Sequence, residues 1–329
     1  MSIEGNIPPE PKPAQALQQQ KLYEGSLRTI ADAVRKNECI LFLGSAIHAA
    51  STNPNYCHPA SKCPPFGAQM AELLADKCHY PDPDRGNLQR VARYFEYING
   101  GFRRPLVEEI KKLVHSESGG EASDGTPLPC SPLDPSPVLR GLVRLNFPIV
   151  ITTNYDRLYE HALLTIGRER GIPKRYSKII YSRDETIRTR DCAQTPSTIR
   201  PYLLKIHGDI TNDDSIAITD EDYLHFVMRM RSEHPYHPVG KNVQTYLRRW
   251  TILFIGYRLG DYNLRALLAA LRWKVKPGKI PPAYAVDVKP DVLIRDKMEK
   301  SQYVAFIEKN LWDFVPELYK KVTDQEMPQ

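Results

Sequence analysis

Asn154 stands in the run Thr152-Thr153-Asn154-Tyr155-Asp156, and its carboxamide can bond a ribose hydroxyl or a water through both its donor and acceptor ends. Asp156, two residues on, can bond ribose or cap a following helix, and a helix-cap cluster accounts for the run equally well in isolation. His207-Gly208-Asp209 sets an imidazole beside a glycine. Histidine suits the deprotonation or orientation of a hydroxyl near neutral pH, and the glycine lets a ligand approach the backbone. Gly44-Ser45-Ala46 offers backbone N–H groups to a diphosphate, or is simply a turn that ends a strand. In the run from Gly256 to Asn263, Gly256 leaves room for an adenosine and Tyr257 can pack on it. Asp261 and Asn263 can bond ribose or cap the next helix.

Each run follows a short apolar stretch of strand length. Cys39–Leu43, Phe147–Ile151, Leu203–Ile206 and Thr251–Ile255 are apolar on both faces, as strands of a parallel sheet covered by helices must be. Ala283–Val288 reads as a further strand. Helical periodicity marks Ser26–Lys36, a stretch beginning near Asp156, Asp261–Trp273 and Asp313–Lys321. The alternation predicts an α/β fold, a doubly wound, Rossmann-like, mainly parallel sheet. In such a sheet ligands bind at the carboxyl ends of the strands, where all four runs fall.

Between the first two strands, Gly67–Cys78, Asn87–Ile98 and Phe102–Val114 read as helices, and the whole of about 50–140 as a helical insertion. Ser116–Pro137, rich in Gly, Ser, Asp and Pro, is expected to be mobile, and Arg183–Arg200 reads as a surface loop. Residues 1–24 are expected to be a disordered lead-in, and 25–325 one domain. Met1–Gln20 has no apolar core and so does not read as a secretory signal.

No apolar stretch approaches the length of a membrane span, so no membrane association is expected. The net charge of +6 is carried in short runs such as Lys111-Lys112 and Arg248-Arg249, which read as solvated helix faces. Direct nucleic-acid binding is therefore not supported. The six cysteines include no C-x-x-C pair, so a redox motif and a zinc ribbon are not visible. Cys57, His58, Cys63, Cys78 and His79 match no tight ligand knuckle, and no metal is expected. Reduced cysteines and a cytoplasmic location are the expectation.

Taken together and in chain order, the four runs resemble the sirtuin superfamily, most closely its SIR2-like NADase branch of bacterial anti-phage defence. Phe42-Leu-Gly-Ser-Ala46 stands where that family has F-x-G-A-G-x-S. Val150-Ile-Thr-Thr-Asn-Tyr-Asp156 matches T-T-N-x-D, and Leu204-Lys-Ile-His-Gly-Asp209 matches K-x-H-G-D. The segment from Phe254 to Asn263 resembles F-I-G-Y-S-x-x-D-x-N, and Pro65–Leu74 and Ile218–Phe226 also look like family segments. The likeness spans roughly 26–320. The chain departs from the pattern at Ala46, at His48 where the family has serine, and at Arg258 where it also has serine.

The resemblance implies that NAD is the substrate and that nicotinamide and ADP-ribose, or a cyclised form, are the products. It assigns Asn154 to the water and the ribose, and His207 to the ribose hydroxyls or the role of general base. Gly44, Ser45, Ala46, Thr153, Asp156, Gly256, Tyr257, Arg258, Asp261 and Asn263 are then nucleotide contacts. It further implies a homo-oligomer, or action beside a motor ATPase or another defence partner, with the helical insertion as the contact surface. Two other readings stand beside this one. One is a nucleotide-binding regulatory subunit whose altered first loop no longer supports turnover. The other is an NAD-dependent protein deacylase, an activity that goes with a paired C-x-x-C zinc module absent from this sequence.

Overall fold

The computed structural model describes residues 13–81, 83–114, 133–171, 175–184, 186–187, 189–230, 237–257, 259, 265, 268–269 and 279–329. Seven strands form one sheet: β1 Cys39–Leu43, β2 Ile149–Thr152, β3 Ser177–Ile180, β4 Tyr202–Lys205, β5 Thr251–Ile255, β6 Ala283–Val286 and β7 Val304–Ile307. Their order is β3-β4-β2-β1-β5-β6-β7, and every pairing is parallel. Leu41 stands in register with Val150 on one side and Leu253 on the other. The chain leaves β1 for β2 on one flank and later crosses to β5 on the other. The topological switch of this Rossmann-like α/β sheet is therefore at the end of β1.

Alternation along the strands divides the core into two layers. Leu41, Leu43, Val150, Leu203, Leu253 and Ile255 face α1 (Pro13–Arg35), α5 (Pro137–Leu145), α6 (Leu158–Glu169) and α10 (Leu311–Thr323). Ile40, Phe42, Ile151, Leu204, Ile252 and Phe254 face α7 (Asp220–Arg229), α8 (Lys241–Leu247) and α9 (Val292–Gln302). Phe42 and Phe254 lie fully buried with ring centroids 4.8 Å apart, and each such ring contributes about 2–3 kcal/mol of apolar burial. A third core joins α2 (Gly67–Lys77), α3 (Leu88–Ile98) and α4 (Arg103–Val114) to Tyr155, Ile210, Ile216 and Ile218, beside the carboxyl ends of β2 and β4. Arg103 fastens this layer, with Glu96 on α3 and Asp222 on α7 each 2.6 Å from its guanidinium.

Several elements differ from expectation. α1 starts at Pro13, so residues 13–24 are helical rather than part of a disordered lead-in. Leu17 to Leu22 are exposed and leave no apolar period, and Ala and Gln sustain those turns by intrinsic preference. β3 and β7 escape notice because they are short edge strands with only partial burial. α5 escapes because its start, Ser136-Pro137, reads as loop composition. Ser136 is in fact fully buried, caps Leu139 N at 3.2 Å and donates to Ile47 O at 2.9 Å, so this end of the segment expected to be mobile is fixed. Residues 116–132 and most of the helix expected over 261–273 lie outside the described residues. No helix of the described residues is long and apolar enough to cross a membrane.

Candidate active site at the ends of the central strands

The loops that follow β1 and β5 are interlocked through their backbones. Gly44 N donates to Ile255 O at 2.9 Å, Ala46 N to Gly256 O at 3.2 Å, and Ile47 N to Gly44 O at 3.2 Å. Gly256 has φ +77°, and a Cβ there would lie 2.7 Å from Gly44 O and from Ile47 N. Only glycine fits this crossing. The N–H groups of Gly44, Ala46 and Ile47 are thus already engaged, which leaves exposed Ser45 as the member of Gly44-Ser45-Ala46 best placed to meet a phosphate.

Beside that crossing, β2 ends in a turn built by one hydroxyl. Thr152 Oγ1 donates to Leu43 O at 2.8 Å and accepts from Asn154 N at 3.0 Å. This fixes Asn154 over the end of β1, where its Nδ2 lies 3.3 Å from Gly44 O and 3.2 Å from His48 Nε2. The same His48 nitrogen lies 3.3 Å from Asp156 Oδ2. Of the two roles that its position suggested, Asp156 takes that of cap, since Oδ1 accepts from Leu158 N at the start of α6, while Oδ2 faces His48. Across β1, Thr153 Oγ1 lies 3.2 Å from the Tyr257 hydroxyl. Gly44, Thr153, Asn154, Asp156, Gly256 and Tyr257, from three adjacent strand ends, are therefore brought together.

A buried charge network lies beneath. Lys205 Nζ donates to Tyr155 O at 3.2 Å and to Asp156 O, and lies 3.2 Å from Asp209 and 3.9 Å from Glu160. Lys178 approaches the same two carboxylates, at 3.0 Å from Asp209 and 3.6 Å from Glu160. Burial alone would raise each of these carboxyls. For Asp156 the His48 imidazole and the Lys205 ammonium outweigh burial and hold it far below the usual range. For Asp209 the Lys205 charge and the Thr211 hydrogen bonds outweigh burial and bring it down to about 2. For Glu160 burial wins and its carboxyl is pushed up. His48, Asn154, Asp156, Glu160 and Lys205 border a cavity of about 10 Å³, the scale of one water molecule.

His207 follows β4, one strand beyond Asn154, and strand tips at that separation are roughly 5 Å apart. Its ring lies against Tyr223 and Phe226 of α7, with centroids 4.9 and 6.0 Å away, and Nδ1 is 3.3 Å from the Tyr223 hydroxyl. Asn154 and His207 thus flank the same end of the sheet, Asn154 on the α5–α6 side and His207 on the α7 side. Arg258, Asp261 and Asn263 lie outside the described residues. Sequence reasoning assigned no role to His48, Thr152, Glu160 or Tyr223. The one signal for His48 was its place four residues after Gly44, where the family pattern has serine.

Comparison with known proteins decides the family. The SIR2-like domain matches residues 148–313, about half of the chain, including β2 to β7 and the Asn154, His207 and Gly256 segments. This chain belongs to the SIR2-like domain family. Defense-associated sirtuin 2 of Bacillus subtilis is 25% identical over 254 residues, which is 75% of this chain and 20% of the relative. NAD(+) hydrolase ThsA of Enterococcus faecium is 25% identical over 258 residues, 78% of this chain and 44% of the relative. The ThsA of Cytobacillus dafuensis is 23% identical over 246 residues, 75% and 40%. The chain thus spans less than half the length of these curated relatives. The matched part of the SIR2-like domain omits the loop after β1, where Ala46 and His48 depart from the family pattern. Among the described residues, no group of three or more His, Cys, Asp or Glu could hold a metal ion, and the described cysteines are free thiols. His58, from the cysteine–histidine cluster noted in the sequence, is buried and faces Trp312 at 6.4 Å between ring centroids.

Proposed function

We propose that this SIR2-like domain is an NAD+ hydrolase that releases nicotinamide and leaves ADP-ribose, acting in anti-phage defence through NAD depletion. The observation that carries this reading is the convergence of Asn154, Asp156, Thr153 and Tyr257 on the Gly44–Gly256 crossing, at the switch point of the sheet. The similarity to proteins named NAD(+) hydrolase and defense-associated sirtuin supports it.

The nicotinamide of NAD leaves as a neutral ring from a cationic nitrogen, so the departing group needs little acid. The transition state is oxocarbenium-like, and the enzyme must fix the ribose, admit one water and stabilise developing charge. In this reading the Asn154 carboxamide holds the ribose and the water. His207, steadied by Tyr223, meets the ribose hydroxyls from the α7 side and takes up the proton of the attacking water. Asp156 acts on Asn154 and His48 from below, and Tyr257 borders the adenosine side. Arg258, Asp261 and Asn263 supply further phosphate and ribose contacts. No metal takes part. Gating by self-association or by a partner, and a cytoplasmic location, complete the proposal.

One observation favours a second reading, a nucleotide-binding regulatory subunit with little turnover. The engaged N–H groups of Gly44, Ala46 and Ile47 leave the first loop few donors for a diphosphate. Incubation with NAD+ and measurement of nicotinamide separates the two. For the hydrolase, Asn154→Ala and His207→Ala each lower release by about 100-fold or more while the proteins stay folded. The double variant falls by less than the product, because both residues act on one ribose and one water. A folded double variant with wild-type release refutes this site. A wild-type chain that binds NAD+ without releasing nicotinamide, alone and with partners, supports the second reading.

A further inference from the structure

His48 is 2% exposed, on the loop where the family pattern has serine, and it touches both polar groups at the end of β2. We propose that His48 is a positioning residue for Asn154, sharing one ring nitrogen between the carboxamide and Asp156, so that the proton on that nitrogen sets which end of the amide turns toward substrate. This deepens the hydrolase reading and rests on it for the role of Asn154.

The argument turns on what a ring nitrogen can do. Each carries one in-plane hydrogen or one lone pair, never both. Nε2 lies 3.2 Å from Asn154 Nδ2 and 3.3 Å from Asp156 Oδ2, and these partners make opposite demands. A hydrogen on Nε2 serves the carboxylate. A lone pair there accepts from the Asn154 amino group and leaves the carboxylate facing a second lone pair.

The charged and titratable groups around the ring decide between the two. Asp156 is bonded to the start of α6 and held ionised by His48 and Lys205 against its burial. Lys205 from β4 and Glu160 and Tyr159 from α6 border the cavity shared with His48, while α5 contributes apolar Leu139. His58, on the following loop, is felt through its charge when protonated. His48 Nδ1 is buried with no hydrogen-bond partner among the described residues, so a proton there meets no acceptor. Both the ionised Asp156 and the bare Nδ1 therefore favour hydrogen on Nε2. With that hydrogen in place, exchange of the two ends of the carboxamide gives up the 3.3 Å bond from Nδ2 to Gly44 O in return for a share of the ring's hydrogen. The carboxamide oxygen then turns to His48, and its amino group turns out toward the ribose.

The test uses the full chain in two independent measurements. In steady-state NAD+ cleavage, His48→Ala lowers kcat by about 10-fold or more with KM within about 3-fold, since the group lost acts through Asn154. His48→Gln, which can still donate to Asp156, recovers part of the loss. In nitrogen-resolved NMR, the His48 ring carries its hydrogen on Nε2 near neutral pH. The Asn154 side-chain amide pair, assigned from its disappearance in Asn154→Ala, shifts in both His48 variants. Wild-type kcat in folded His48→Ala, an Nδ1–H ring, or an Asn154 amide signal indifferent to His48 overturns the proposal. If the wild-type chain releases no nicotinamide, the hydrolase reading falls and the NMR measurement alone decides the coupling. If His48→Ala does not fold, His48→Gln carries both measurements.

Discussion

Replacing Thr152 by valine keeps the shape of the side chain and removes a single oxygen from the turn that holds Asn154. That oxygen donates to Leu43 O at 2.8 Å and accepts from Asn154 N at 3.0 Å, in a residue only 3% exposed. Leu43 O is stranded in the core by the change, while Asn154 N is only partly buried and recovers some solvation. A net hydrogen bond is worth about 1 kcal/mol and a stranded buried partner costs about 1–3 kcal/mol, so Thr152→Val should lose about 2–4 kcal/mol in all. Typical domains hold only about 5–15 kcal/mol, and the urea midpoint should fall by about 1 M. Thr152→Ser keeps the oxygen, loses a methyl and should stay within about 1 kcal/mol of wild type. Nicotinamide release, measured at low temperature where both variants are folded, should fall in Thr152→Val and hold in Thr152→Ser. A Thr152→Val protein with the wild-type midpoint would show that the hydroxyl does not build this turn.

Two further outcomes are expected. Burial holds the His58 imidazole down at about 4, against about 6.5 when unfolded, so the unfolded chain binds a proton that the native one refuses between those values. Its contribution is complete above about pH 6.5 and lost on acidification toward pH 4, about 3 kcal/mol in all, and His58→Gln should flatten that part of the urea-midpoint profile relative to wild type. Nicotinamide release should survive exhaustive chelation, since cleavage of an activated glycosidic bond needs no metal. Loss on chelation with recovery on adding zinc or magnesium would overturn that expectation and direct attention to Cys57, Cys63 and Cys78.

The central strands were legible because burial on both faces leaves an uninterrupted apolar run, and Cys39–Leu43 and Thr251–Ile255 have the bounds that their composition predicts. The edge strand Ser177–Ile180 carries no such run, because a half-covered strand need not be apolar throughout, and Val304–Ile307 is an apolar run of only four residues with partial burial. Helix α5 was hidden for the opposite reason, since the Ser and Pro that cap its start are also the residues of loops. Asn154 and Tyr257 could be placed on strand ends from pattern alone, but their meeting depends on β2 and β5 flanking β1, a pairing that only the fold supplies. His48 belongs to no periodic element. Its contact with Asn154 and Asp156 arises from a single 3-10 turn after Gly44, which no spacing rule foretells. Asp156 was ambiguous in sequence between cap and ligand, and in three dimensions one of its oxygens caps α6 while the other faces His48.

The crossing of Gly44 and Gly256 also bears on how such a site can change over generations. Each glycine occupies space that the other's backbone leaves only for a hydrogen, with Gly256 O just 2.3 Å from where a Gly44 Cβ would stand. The two loops are far apart in the chain, yet neither can accept a side chain while the other stays as it is. Single substitutions at either place should be purged, and paired ones should depart strongly from additivity. Variation in the reach or charge of this mouth is then steered to the side chains beside the crossing, Ser45 at the surface and His48 buried beneath it. His48 in place of the family's serine is a difference of that kind.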